Sequence, residues 1–201
     1  VAPAYFVVAR RGKNASLLLL STAARFPDAP SWENHHVLER MTAADEAAIT
    51  AQLQRPARGA AGIAHRCPCG KPAVVATRPR LPDGSPFPTM YYLTCPRAVA
   101  ACSSLEAQGL MAEMNRRLSH DRDLAAAYRH AHEQYLTDRE RLEPVPEITG
   151  VTAGGMPDRV KCLHALVAHS LAAGEGVNPL GDEAVRALGA FWISPCLEEV
   201  S

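Results

Sequence analysis

The sequence predicts an α+β fold, a small antiparallel β-hairpin unit packed with about four or five helices. Two β-rich runs, "AVVATRP" (73–79) and "TMYYLTC" (89–95), flank the segment "LPDGSPFP". The Asp83-Gly84 pair at its centre supplies turn chemistry, so the runs read as two antiparallel strands joined by a loop. At Pro96 the apolar spacing changes from that of a strand to that of a helix. Apolar residues make up 47% of the 201-residue chain but aromatics only 5%, so the expected core is mostly Ala, Leu and Val.

Along the chain, residues 1–40 stand apart. Their segment "FPDAPSWENHH" has little periodicity, whereas Met41 leads into "TAADEAAITAQLQ". There Thr42 and Asp45 resemble a capping box, and Ile49 and Leu53 follow at helical spacing. Residues 1–40 are therefore expected to be an N-terminal extension, an over-called start at a valine codon, ahead of a single domain spanning 41–201. Residues 54–72, rich in Arg, Gly and Pro, read as a loop. "PRAVAACSSLEAQGLMAEMNRRL" (96–118) reads as one helix, with Val99, Cys102, Leu105 or Ala107, Leu110 and Met114 on its apolar side. Proline suits the first helical position, which puts Cys95 at or near the N-cap. Ser119 or His120 opens a second helix, about 121–142, with Leu124, Tyr128 and Tyr135 opposite a charged face. A Pro/Gly-rich loop (143–157) precedes a third, about 158–173, closed by Gly174. A last helix covers about 182–192, with Asp182 as the expected N-cap.

Composition bears on function by exclusion. Lys plus Arg and Asp plus Glu each number 21, so formal net charge is zero. A nucleic-acid binder relying on phosphate contacts carries a basic surplus or stripe, and neither is evident. No apolar run reaches the roughly 18–20 residues of a membrane span. "NASLLLLSTAARF" (14–26), behind Arg10, Arg11 and Lys13, has some features of a signal peptide, but its apolar run holds only four leucines. The expected location is the cytoplasm, where reduced cysteines serve chemistry, metals or packing.

Six cysteines are present: Cys67, Cys69, Cys95, Cys102, Cys162 and Cys196. No Cys-x-x-Cys occurs, which argues against a zinc ribbon or a thioredoxin-type motif. Instead "CPCG", "TCP" and "KCLH" each fall at a loop or element end, where distant ligands can meet. Cys67, Cys69, Cys95, Cys162 and His164 are the candidate metal ligands, for zinc or an Fe–S cluster. Cys162 and His164 stand about 200° apart around a regular helix, so they share an ion only if "KCLH" straddles a helix start. Cys162 and His169 share a face but lie about 10 Å apart along the axis, which favours His164. A Cys-Pro pair, at Cys67 and Cys95, also suits an axial haem thiolate, a less specific reading. Inert packing is the plain alternative, above all for Cys102 in mid-helix, while Cys196 near the tail reads as having no role.

A second functional reading is a cysteine-dependent enzyme acting on a small anionic, phosphate-type substrate. Cys95 is its candidate nucleophile, because a helix N-terminus favours a thiolate, and His65, His164 and His169 are available as bases. Arg66, Arg80, Arg97 and Lys161 flank the cysteine clusters and are the candidate anion-binding residues, with a solvated surface as the plain alternative. Position 101 is Ala, so there is no Cys-x5-Arg loop of the phosphatase kind. A third reading is an adaptor whose "TMYYL" edge meets a protein partner.

The ordered motifs "RCPCGKP" (66–72), "PRLPDGSPFPTMYYLTCP" (79–96), "LEAQG" (105–109), "VKCLHALVAH" (160–169) and "NPLGD" (178–182) resemble the bacterial DUF501 family over about residues 41–182. That family carries no established reaction to transfer. Its motifs coincide with Cys67, Cys95, Cys162 and His164, the residues singled out above on chemical grounds.

Overall fold

The computed structural model describes residues 38–197. The expected extension thus lies outside the described residues apart from its last three positions, as does the apolar run at 14–26. Helix α1 (Ala43–Leu53) opens on Thr42 with the predicted capping box: Asp45 N–H donates to Thr42 Oγ1 at 3.2 Å, and Thr42 N–H returns to Asp45 Oδ2 at 3.0 Å. Two orphan donors are satisfied in one exchange.

The strands form one antiparallel sheet in the order β1 (Ala60–Arg66), β2 (Pro72–Thr77), β3 (Tyr91–Leu93). Strands β2 and β3 are the predicted pair, in the register Val74–Leu93, Val75–Tyr92, Ala76–Tyr91. Strand β1 corrects the reading of 54–72 as a loop. Its "AAGIAHR" has little intrinsic β preference, and pairing with β2, which is buried at every position, holds it extended. Its Gly62 also has a packing reason. A Cβ there would lie 3.0 Å from the Glu39 carbonyl oxygen, on a segment whose Glu39 exchanges backbone hydrogen bonds with Ile63.

Six helices occur among the described residues. Cys95 caps α2 (Pro96–Ala107), with Pro96 at the first position, as the sequence suggested. The predicted single helix over 96–118 is broken, because Gly109 adopts φ 89° and a second helix, α3 (Leu110–Leu118), starts there. Glycine takes that left-handed conformation without steric cost. Helix α4 (Arg122–Leu142) opens on Asp121 and buries Tyr128, Ala131, Tyr135 and Arg139 on one face. Helix α5 (Leu163–Ala173) is shorter than predicted and almost wholly buried. Helix α6 (Pro179–Ala187) begins three residues before Asp182: Asn178 is its N-cap, accepting from Gly181 N–H at 2.9 Å. Asp182 instead sits inside the first turn and binds Gly176 N–H and the Ser170 hydroxyl. No helix among the described residues is long and apolar enough to cross a membrane.

Two of the few aromatics pack around one histidine. His169 of α5, fully buried, stacks on Tyr91 at 5.8 Å between ring centroids and meets Tyr135 edge to face at 5.1 Å. The Tyr135 hydroxyl accepts from Met90 N–H at 2.6 Å, so a side chain of α4 satisfies the backbone beside β3. Asn178 Nδ2 donates to His169 Nδ1 at 3.2 Å, which suits a neutral ring. Burial presses the His169 pKa down to about 3. Nearby, the buried Arg139 guanidinium donates to the carbonyls of Pro88, Ile148 and Val151, holding together loops that lack regular partners.

Two outcomes follow from these buried groups. Native His169 stays neutral where an unfolded histidine, titrating near 6.5, binds a proton. The native state is therefore most favoured above that pH and loses up to about tenfold in folding equilibrium per unit as pH falls from 6.5 toward 3. Urea unfolding at a series of pH values should show a steeper acid loss for wild type than for His169→Gln. Arg139→Ala, which removes the shared donor of three loop carbonyls, one of them buried, should cost about 3 kcal/mol in the same assay at neutral pH.

Candidate functional site

Helix α2 carries sulfur or carboxylate at both ends. Cys95 stands at its start, and Cys102 and Glu106 lie in its second half. Each end meets other candidate residues.

At the far end, α2 faces the beginning of α5. Cys162 is the N-cap of α5, extended at φ −156° and ψ 116°, and its thiol makes no capping bond. "KCLH" thus straddles a helix start, the condition that lets Cys162 and His164 approach each other. The missing cap is supplied from α2, where Glu106 Oε1 accepts from Leu163 N–H at 2.7 Å. The same oxygen lies 3.2 Å from His164 Nδ1, and that nitrogen lies 3.6 Å from Cys162 Sγ. His164 Nε2 faces Ser103 Oγ at 3.4 Å. Ligand atoms of Glu106, Cys162 and His164 all lie within 4.8 Å of one another, the group so arranged among the described residues. His164 and Glu106 keep 26% and 23% of their side-chain surface exposed, so a small species can reach them.

The electrostatics follow from that geometry. Burial pushes the Cys162 thiol up, but the His164 ring and the nearby Ala165 amide outweigh it and leave its pKa below the ordinary value. The Cys162 sulfur in turn holds the His164 pKa above its ordinary value, against burial. Beside them Cys102 is fully buried, and burial pushes its thiol up to about 12. It is the apolar packing residue that its mid-helix position suggested.

The near end of α2 gathers the other four cysteines. In the "CPCG" turn, Cys67 N–H donates to Lys71 O at 2.9 Å and Gly70 N–H to Cys67 O at 2.8 Å. The amide of Cys69 bonds the Cys67 sulfur, and the amides of Lys71 and Cys196 bond the Cys69 sulfur. Cys69 Sγ lies 3.4 Å from Cys196 Sγ, and Gln52 Nε2 from α1 reaches Cys196 Sγ at 3.4 Å. Cys95 completes the group, close enough for its charge to oppose ionisation of Cys67 and Cys196. Burial pushes Cys67 up to about 12 and Cys196 up to about 11. Cys69 moves the other way: burial raises it, but its several hydrogen bonds bring it down to about 7.

The candidate ligands therefore fall in two groups, Cys67, Cys69 and Cys95 in one and Cys162 and His164 in the other. Sequence reasoning missed two members. Glu106 was not singled out as a ligand, and its neighbour, the α5 N-terminus, is 57 residues away in the chain. Cys196, read as a tail residue without a role, packs against a turn 127 residues earlier. Neither contact leaves a local signal.

Three of the four candidate anion-binding cations are engaged within the fold. Arg66 binds Glu39 and Asp45 at 2.6 and 2.8 Å and also the Gly70 carbonyl. Arg80 makes two 2.8 Å bonds to Glu147, and Arg97 Nε donates to Pro195 O at 2.9 Å. Lys161, beside Cys162, is exposed. Of the histidines named as bases, His169 is enclosed in the core and His65 is half-buried in β1. Met90, Tyr91 and Leu93 of the "TMYYL" edge are buried as well.

No curated protein and no solved structure matches the chain. The sequence model of a family described as "Protein of unknown function (DUF501)" matches residues 63–186, from within β1 to within α6. The match takes in both ends of α2 and the start of α5, and stops short of Cys196. With more than half its length inside that match, the chain belongs to the DUF501 family.

Proposed function

We propose that this protein binds a zinc ion through Cys162 Sγ, His164 Nδ1 and a carboxylate oxygen of Glu106. The carrying observation is the set of separations between these atoms. Around a tetrahedral zinc ion, thiolate and imidazole ligands lie about 3.6 Å apart, and imidazole and carboxylate ligands about 3.4 Å apart. The corresponding contacts here are 3.6 and 3.2 Å. One thiolate, one imidazole and one carboxylate suit zinc better than an Fe–S cluster, which is held mainly by thiolates. Three protein ligands leave a fourth position for water or a small anion, the arrangement of a zinc site that does chemistry.

The same contacts favour one competing reading, in which Cys162 is a nucleophile and His164 its base. Sγ lies 3.6 Å from Nδ1 at the N-terminus of α5, whereas Cys95 is fully buried. A cysteine enzyme of this fold would therefore use Cys162 in place of Cys95.

Metal content of the full chain, purified without oxygen or chelator, separates the two. The zinc reading expects His164→Ala and Cys162→Ser each to lower the zinc content by one ion per chain, and Glu106→Gln to weaken binding at least about 100-fold. It also expects bound zinc to shield Cys162 from iodoacetamide. Unchanged zinc content in both ligand variants, with rapid alkylation of Cys162 that slows in His164→Ala, would instead establish the thiol reading.

A further inference from the structure

The sulfurs at the near end of α2 carry an inference that goes beyond the α5 site and does not rest on it. We infer that Cys67, Cys69, Cys95 and Cys196 form a second, separate centre that holds a single zinc ion as a tetrathiolate and fastens the C-terminal segment to the domain. The four residues come from three places in the chain: the β1–β2 turn, the start of α2 and the segment after α6. All lie in the core or packed against it, Cys95 completely. Four sulfurs converging from such distances are more than one cysteine filling a gap.

The donors around them point the same way. A thiolate bound to a metal is stabilised by N–H groups aimed at sulfur, and such bonds tune metal–sulfur centres. Here Cys67 accepts from the amide two residues on, and Cys69 from the amide two residues on again, which is the work of the tight "CPCG" turn. Cys69 also accepts from Cys196 N–H, and Cys196 Sγ from Gln52 Nε2 at 3.4 Å. The Gln52 amide is itself fixed by the Pro72 carbonyl at 2.7 Å. Cys95 is placed independently, its N–H reaching the Ala73 carbonyl at the start of β2.

Sulfur spacing fits two thiolates on a single metal ion. Two thiolates on one tetrahedral zinc lie about 3.8 Å apart, given zinc–sulfur bonds near 2.3 Å. The Cys69–Cys196 separation of 3.4 Å is close to that value, and too short for two sulfurs held on different irons of a cluster. No three of these four sulfurs lie within 4.8 Å of one another, so holding an ion requires Cys67 and Cys95 to close on the Cys69–Cys196 pair by side-chain rotation. Binding replaces four S–H bonds with four Zn–S bonds and releases up to four protons, and no electrons move. The role is structural, because four protein ligands leave no position for substrate. Arg97, whose Nε holds the Pro195 carbonyl at 2.9 Å, already brings the tail to this end of α2.

The test loads the full chain with cobalt(II) in place of zinc and reads sulfur-to-cobalt charge transfer together with zinc stoichiometry. Wild type should bind zinc here with four thiolates per ion. Cys196→Ser should lose one ion per chain and most of the charge-transfer absorption, while His164→Ala keeps that absorption. One zinc per chain in wild type, kept in His164→Ala and lost in Cys196→Ser, would fail the earlier proposal and leave this one standing. If Cys196→Ser does not fold, wild type decides: zinc should protect Cys67, Cys69, Cys95 and Cys196 together from maleimide, as read by peptide mapping. Full zinc content and an unchanged cobalt spectrum in Cys196→Ser would overturn the inference. So would a Cys69–Cys196 disulfide in protein purified without oxygen, or maleimide labelling of these thiols at the same rate with and without zinc.

Discussion

Helix α5 runs through the interior, and a buried helix start leaves amide donors that water cannot reach. Cys162, its N-cap residue, does not bond them. A carboxylate from another helix does: Glu106 of α2 accepts from Leu163 N–H at 2.7 Å. A negative group at the positive end of a helix dipole is favoured twice over, by charge and by hydrogen bonding. That single contact sets the position of α2 against α5 and brings His164 and Cys162 to the same carboxylate. The geometry of the candidate zinc site is thus a consequence of how a buried helix is capped.

The rest of the core is built under the same constraint, that polar groups in the interior must find partners. Tyr135 reaches across to the Met90 amide, Asn178 serves both His169 and the start of α6, and Arg139 collects three loop carbonyls. Each of these side chains both fills volume and completes a hydrogen-bond set. A protein with few aromatics spends three rings, Tyr91, Tyr135 and His169, at one point where β3, α4 and α5 meet.

Charge is used in the same internal way. Arg66 joins the segment at Glu39 to the capping box of α1, and the Arg66 guanidinium holds the Asp45 carboxyl well below the usual range. Arg80 anchors the turn before β3 to Glu147. These cations bind the fold's own carboxylates, which is consistent with a chain of zero net charge. The cysteines then divide according to which end of α2 they meet, and the helix itself separates the two groups.

Several features with local causes were legible in the sequence, although the break at Gly109 was not. The Thr42–Asp45 box, the β2–β3 pair around Asp83-Gly84, Pro96 behind Cys95, and the Tyr face of α4 all follow from residues a few positions apart. What tertiary structure alone decided has non-local causes. Strand β1 is extended because β2 lies beside it, and Asp182, the expected cap, is engaged instead by Gly176 N–H and the Ser170 hydroxyl of α5. Motif chemistry marked Cys67, Cys69, Cys95, Cys162 and His164 as ligands, but not their division into two groups. Nor did it mark Glu106 or Cys196, whose partners lie 57 and 127 residues away. A ligand's type is written in its own side chain; its neighbours at a centre are chosen by packing between distant segments, and no short stretch of sequence records that choice.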